Sequence, residues 1–137
     1  MILERLSLIN FKNYDEAQLE FCPKFNCFVG NNGMGKTNLL DAIHYISFCK
    51  SFFNSVDSQN IKYEQPFFSI QGWINKNGTT DEIFCGVKRG SKKQFKHNKK
   101  EYDRLSEHIG LYPLVMISPS DIELIWDGSE VRRKFMD

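Results

Sequence analysis

Gly30, Gly35, Lys36 and Thr37 stand in the run "GNNGMGKT" at the spacing G-x-x-x-x-G-K-[ST]. Residues of these types at these intervals suit one task, the holding of a polyphosphate. Glycine lets a tight loop adopt positive φ without a Cβ clash. Successive backbone N–H groups from Asn32 to Lys36 can then converge on phosphate oxygens. A helix opening at the end of the loop adds unpaired donors and the positive end of its dipole. Lys36 would bridge β- and γ-phosphates, and the Thr37 hydroxyl would ligate Mg2+. The competing reading, a glycine turn that merely packs, leaves the lysine and threonine without a role.

Such a loop needs a strand leading in and a helix leading out. "FNCFVG", after Pro23, is an almost continuous apolar run, expected to form a strand covered on both faces. From Thr37 the period changes: Leu39, Ile43 and Ile46 fall at i, i+4 and i+7, with Leu40 and Ala42 widening the stripe. This helix should fade near Lys50. Upstream, "RLSLINFKNYDEAQLEF" reads as two strands around a polar turn at Lys12 to Asp15. Leu6, Leu8 and Asn10 should face one way, and Ser7, Ile9 and Phe11 the other; Leu19 and Phe21 supply the second strand's apolar side. Downstream, "PFFSIQGWI" and "DEIFCGVKR" flank Asn77-Gly78, a hairpin signal. "KKQFKHNKKEY" reads as a further strand and turn, and "YPLVMIS" as a buried strand. "SPSDIELI" should open a helix capped by Ser118 or Ser120 with Pro119 early in it, and "SEVRRKFMD" should be helical. Phe52, Phe53, Phe67, Phe68 and Trp73 could stack on bases, but their spacing is that of core residues.

Composition narrows the class. With 137 residues, 41% hydrophobic and 26% charged, the chain is expected to be a soluble globular domain or a piece of one. A formal charge of +1 says nothing for or against nucleic acid. "MILERLSLINF" is broken by Glu4 and Arg5, so neither a signal peptide nor a membrane span is expected. Cys22, Cys27, Cys49 and Cys85 form no C-x-x-C pair and are expected to be buried or half-buried structural thiols in a reducing cytoplasm. His44, His97 and His108 show no ligand spacing.

A phosphate loop alone does not select a reaction. Guanine recognition would need N-K-x-D after a buried strand; "NKNG" is a hairpin turn and "NKKE" lies in a lysine run. A second carboxylate should follow a buried strand, but "PLVMIS" ends in Ser118. Asp127 of "LIWD" follows Glu123, with Ile122 and Ile125 at helical spacing. A self-contained kinase or phosphotransferase would need lid arginines and a catalytic carboxylate, and neither is evident. A non-enzymatic DNA-binding module would rest on "SKKQFKHNKK". There Lys92, Lys93, Lys96, Lys99 and Lys100 could meet a phosphate backbone, or simply protect a hairpin edge from strand pairing. Arg132 and Arg133 could likewise face DNA, a partner head or acidic neighbours, or join a salt-bridged helix.

Three blocks, "LSLINFKNY", "FVGNNGMGKTNLLDAI" and "PLVMISPSDIELIWDGSEVRRKFMD", resemble in order the N-terminal portion of the RecF family, which is related to SMC ATPase heads. The likeness spans essentially the whole chain. It implies an α/β P-loop NTPase fold, lobe I of an ABC-type ATPase head, with a mixed sheet and an antiparallel β-rich subdomain. The P-loop core would take residues 1–50 and 111–137, and the β-rich insertion about 60–110. It implies ATP and Mg2+ as ligands. Gly30, Asn31, Asn32, Gly33, Met34, Gly35, Lys36 and Thr37 would hold the phosphates, with Mg2+ at Thr37, Asn38 flanking, and Lys12 and Asn13 near the nucleotide. The family more often has Arg at the Lys12 position; Lys keeps the charge and loses the planar fork. No catalytic residue is expected here, because the signature motif, Walker B, its glutamate and the switch histidine belong to the family's C-terminal part. Hydrolysis by this portion alone should be poor. The family resemblance further implies a cytoplasmic protein that sandwiches ATP between two heads and binds DNA, at single-strand gaps and double-stranded junctions, in an ATP-dependent way. RecR and RecO would be its partners, RecA loading its outcome, and repair, replication and the SOS response its setting.

Overall fold

A computed structural model describes residues 1–122, 126 and 129–136. Six strands, β1 (Ile2–Ile9), β2 (Glu16–Glu20), β3 (Phe67–Lys76), β4 (Thr79–Lys88), β5 (Gln94–His97) and β6 (Lys100–Glu101), form one sheet in the order β2-β1-β3-β4-β5-β6. Each neighbouring pair is antiparallel. The helix α1 (Lys36–Phe48) lies on one face, and α2 (Ser129–Met136) follows near the end of the chain.

Local chemistry explains the hairpins. Asn77 and Gly78 take φ of 56° and 85°, the twist that a two-residue turn needs to match its strands. Asn98 and Lys99 repeat this at 48° and 69°. The Asn98 side chain secures the second turn by accepting from the Glu82 N–H at 2.8 Å and donating to Asp81 at 2.9 Å. Alternation along β3 and β4 sends Phe68, Ile70, Ile74, Ile83, Cys85 and Val87 inward against Leu39, Ala42, Tyr45 and Ile46 of α1. Gly72 allows the close approach, since a Cβ there would stand 2.7 Å from Ile46 Cδ1.

Several expectations need correction. Phe11 is wholly buried on the same side as Leu6 and Leu8, because Asn10 at φ 51° breaks the strand's alternation and turns the ring inward. There it meets Phe68 edge-on at 5.2 Å between ring centres. Of the five aromatics read as core, Phe68 is fully buried, whereas Phe52, Phe53 and Phe67 are 40%, 48% and 40% exposed. Trp73 is half-buried beneath the Arg5 guanidinium, 4.4 Å from the ring centre. Cys49 and Cys85 are buried, and burial pushes the Cys49 thiol up to about 11; Cys22 and Cys27 are exposed rather than tucked away.

The two apolar runs expected as buried strands are not strands. Residues 24–30 and 113–118 carry no ladder bonds, and Phe25, Val29, Val115 and Ile117 are exposed. A strand forms only when a neighbour takes up its N–H and C=O groups, and no described strand runs alongside either segment. The sheet is therefore antiparallel throughout among the described residues, without the parallel members that would make it mixed. At Pro119–Ile122 a 3-10 turn begins. The Ser118 N–H donates to the Asp121 carboxylate, and the Asp121 N–H returns to the Ser118 carbonyl at 3.0 Å, which makes Ser118 the cap. Glu123, Ile125 and Asp127 lie outside the described residues.

His108 ties the end of α1 to the β5–β6 side. Fully buried, it donates from Nε2 to the Ile46 carbonyl at 2.6 Å and accepts at Nδ1 from the Tyr102 hydroxyl at 3.1 Å. That arrangement requires a neutral ring. Desolvation, and to a smaller degree the nearby His97, hold its pKa below the usual value, against the Ile46 hydrogen bond. The unfolded chain therefore takes up the proton first, so the stabilisation is complete above about pH 6.5 and is lost as pH falls through the folded-state value. Thermal melts between pH 7.5 and 5 should show a falling midpoint that flattens in His108→Gln. An equally steep fall in that variant would remove His108 as the cause.

Candidate phosphate-binding site

The loop from Gly30 to Gly35 curls through two left-handed glycines, Gly33 at φ 83° and Gly35 at 99°. Gly35 is the N-cap of α1. Its carbonyl accepts the Leu39 N–H at 2.9 Å, no side chain caps the helix, and no acidic residue occupies the first turn. The free N–H groups open onto a concavity of about 240 Å3 lined by Asn32, Gly33, Gly35, Lys36, Thr37 and Asn38. Lys36 folds back across the loop and donates to the Gly30 carbonyl and, at 3.0 Å, to the Asn31 carbonyl. A cation held only by carbonyl oxygens, beside an uncapped helix N-terminus, is the donor set of an anion site. This chemistry fits phosphate, and the exposed Thr37 lines the same concavity with its hydroxyl side chain.

The turn between β1 and β2 braces this loop. Asn13 donates from Nδ2 to the Met34 carbonyl at 3.2 Å and accepts from Asn38 Nδ2 at 2.7 Å. The Tyr14 hydroxyl donates to the Gly35 carbonyl at 2.9 Å. Packing is so close that a Cβ on Gly35 would come within 2.6 Å of the Asn13 amide.

Lys12 is placed differently. Its ammonium stands 2.5 Å from Asp41 Oδ2 and 5.4 Å from the centre of the Phe53 ring. Asp41, fully buried on α1, also accepts from Ser51 Oγ at 2.6 Å and from the Phe52 N–H at 2.7 Å. Asn13 thus reaches the loop while Lys12 reaches the flank of the helix behind it. Tyr14, Asp41 and Ser51 escaped the sequence reading. Only Asp41, a charge set within the apolar stripe around Leu39, Ala42 and Ile43, carried a readable signal.

The five lysines do not form one patch. Lys93 turns inward, 2.8 Å from Asp57 and donating to the Cys49 carbonyl at 2.6 Å. Lys96 lies over the Phe84 ring at 5.6 Å, and Lys92, Lys99 and Lys100 are exposed. Arg133 is exposed and donates to Ser129 Oγ at 3.3 Å; the side chain of Arg132 lies outside the described residues. No described helix is long and apolar enough to cross a membrane.

A family model described as an AAA domain matches residues 5–135. DNA replication and repair protein RecF of Phocaeicola vulgatus is 62% identical over the whole chain, and that of Flavobacterium johnsoniae 54%. The chain spans about 37% of the first of these and 38% of the second. Among solved structures, the recombination mediator protein RecF with ATP superposes with a TM-score of 0.85 at 34% identity, covering 98% of this chain and 38% of that one. An SMC ATPase structure superposes at 0.77 over 99% of this chain and 97% of that one; at 21% identity this likeness concerns the fold alone.

Proposed function

Because the chain belongs to the AAA domain family, which its match over residues 5–135 places beyond a chance motif, we propose that it is the phosphate-gripping part of a RecF-like DNA repair ATPase. The observation that carries this reading is Lys36 folded over loop carbonyls at the uncapped start of α1. Gly30 to Thr37 bind the phosphates through backbone N–H groups and the Lys36 ammonium, Thr37 ligates Mg2+, and Asn38 flanks them. Asn13 and Tyr14 hold the loop in shape from behind, and Lys12 supports α1 through Asp41. Mg·ATP, when bound, supplies a γ-phosphate whose hydrolysis times the release of DNA.

On this reading residues 1–50 and 111–137 form the nucleotide core and about 60–110 its β-rich insertion. A second head closes over the nucleotide. The whole protein works in the cytoplasm, binds DNA at single-strand gaps in an ATP-dependent way, and acts with RecR and RecO to assist RecA loading. Exposed Lys92, Lys99, Lys100 and Arg133, with Lys96, meet DNA phosphates; Lys93 serves the fold.

The test uses the full-length protein and a gapped duplex. Affinity should rise when Mg·ATP is added. Lys99→Gln with Lys100→Gln should reduce the slope of log affinity against log salt by roughly 0.9 for each phosphate left without its lysine. Equal affinity with and without nucleotide would refute the ATP-dependent reading, and an unchanged slope would show that the hairpin lysines do not touch DNA.

A further inference from the structure

The sheet has two faces and α1 covers one of them. On the other, alternation presents Phe67, Ser69, Gln71 and Trp73 from β3 and Lys88, Gly86 and Phe84 from β4, all half-buried or exposed. A groove of about 360 Å3 runs over Phe67, Ser69, Phe84 and Gly86 and is edged by Lys88 and Lys92. Gly86 leaves room on its floor: a Cβ there would stand 3.1 Å from the Phe84 ring, which would have to give way slightly. Phe67 is 40% exposed and pairs across the sheet with Lys88. Lys96 extends over Phe84 from β5. Among the described residues, none of Lys88, Lys92 and Lys96 takes part in an ion pair. Two acidic groups share this face: Glu82, bonded by Gln71 at 2.9 Å and opposite Trp73, and Glu101, directly opposite Lys96 on the edge strand.

We infer that this outer face is a stacking platform for single-stranded DNA, with bases on Phe67 and Phe84 and the backbone along Lys88, Lys92 and Lys96. The choice of ligand follows from the pairing of chemistries. Cations outside ion pairs call for a polyanion, while the exposed Phe67 ring and the half-buried Phe84 ring call for apolar flat partners; a nucleic-acid strand carries both at short repeat. A duplex hides its base faces in its own stack, so the rings select unpaired strands. The inference rests on the DNA reading above, shares Lys92 and Lys96 with it, and adds the face of β3 and β4 away from the hairpin tip.

In the full-length protein, anisotropy of labelled dT20 should show Phe67→Ala with Phe84→Ala binding about tenfold or more weakly, as expected for lost base–aromatic stacking. An abasic strand of the same length should bind wild type and this variant alike. Phe84→Trp should keep the wild-type affinity, and its added emission should be quenched by dT20. Lys88→Gln, Lys92→Gln and Lys96→Gln together should lower the single-strand salt slope by about 2, at roughly 0.7 for each phosphate. Mg·ATP affinity in each variant reports that the fold is intact. Wild-type dT20 affinity in the double alanine variant, with gapped-duplex binding retained, would overturn the platform alone and leave this face to a protein partner. Loss of ATP-dependent binding to every DNA already in the wild type would overturn both readings.

Discussion

Alanine in place of Lys36 is expected to weaken Mg·ATP binding by roughly 100-fold, close to 3 kcal/mol, at the upper end for charge-assisted hydrogen bonds. The same change should barely move the thermal midpoint. Among the described residues its ammonium donates to the Gly30 and Asn31 carbonyls, which belong to exposed residues, so water replaces it there at little cost. The variant gives up a cation at the mouth of the loop, which on the proposed reading meets two phosphates. Lys36→Arg should recover only part of the affinity, since a planar fork cannot follow the position of a point charge. Calorimetry on the full-length protein would decide this. Unchanged affinity in Lys36→Ala would mean that the loop does not hold phosphate.

The second large effect concerns stability. Asp41→Ala should cost about 3–4 kcal/mol, because removing one partner of a buried pair leaves the other charge uncompensated. Three groups are deprived of their acceptor at once: the Lys12 ammonium, the Ser51 hydroxyl and the Phe52 N–H. Asp41→Asn should cost less, as the amide oxygen still serves the neutral donors. The damage should also spread forward. Lys12 precedes Asn13, which holds the phosphate loop, so nucleotide affinity should fall with stability in Asp41→Ala. A denaturant-derived loss below about 1 kcal/mol, the scale of an exposed pair, would show that water rather than Asp41 satisfies these groups.

The parts of the fold that are legible in the sequence are those governed by neighbours along the chain. Asn77-Gly78 and Asn98-Lys99 set their own turns through positive φ, and the Leu39, Ile43 and Ile46 stripe marks α1. The cradle is legible because its glycines and Lys36 act within eight residues. What stays hidden depends on distant partners. "FNCFVG" and "PLVMIS" are apolar enough for strands, but strand formation needs an adjacent backbone, which composition cannot reveal. Simple alternation puts Phe11 on the wrong side because one left-handed residue, Asn10, resets the parity. Phe67 and Phe68 are consecutive in a strand, so only one could face the core. Lys12 lies against Asp41, a partner far along the chain to which its own neighbours in sequence do not point.

The strap from Asn13 and Tyr14 to Met34, Gly35 and Asn38 has a mechanical consequence. The mouth of the cradle cannot change shape without tugging on the corner where the first two strands reverse. Linked equilibria are symmetrical: if ligand capture stiffens that corner, then any load that stiffens the corner must tighten ligand capture by the same factor. The β2 edge of the sheet is thereby coupled to the shape of the loop.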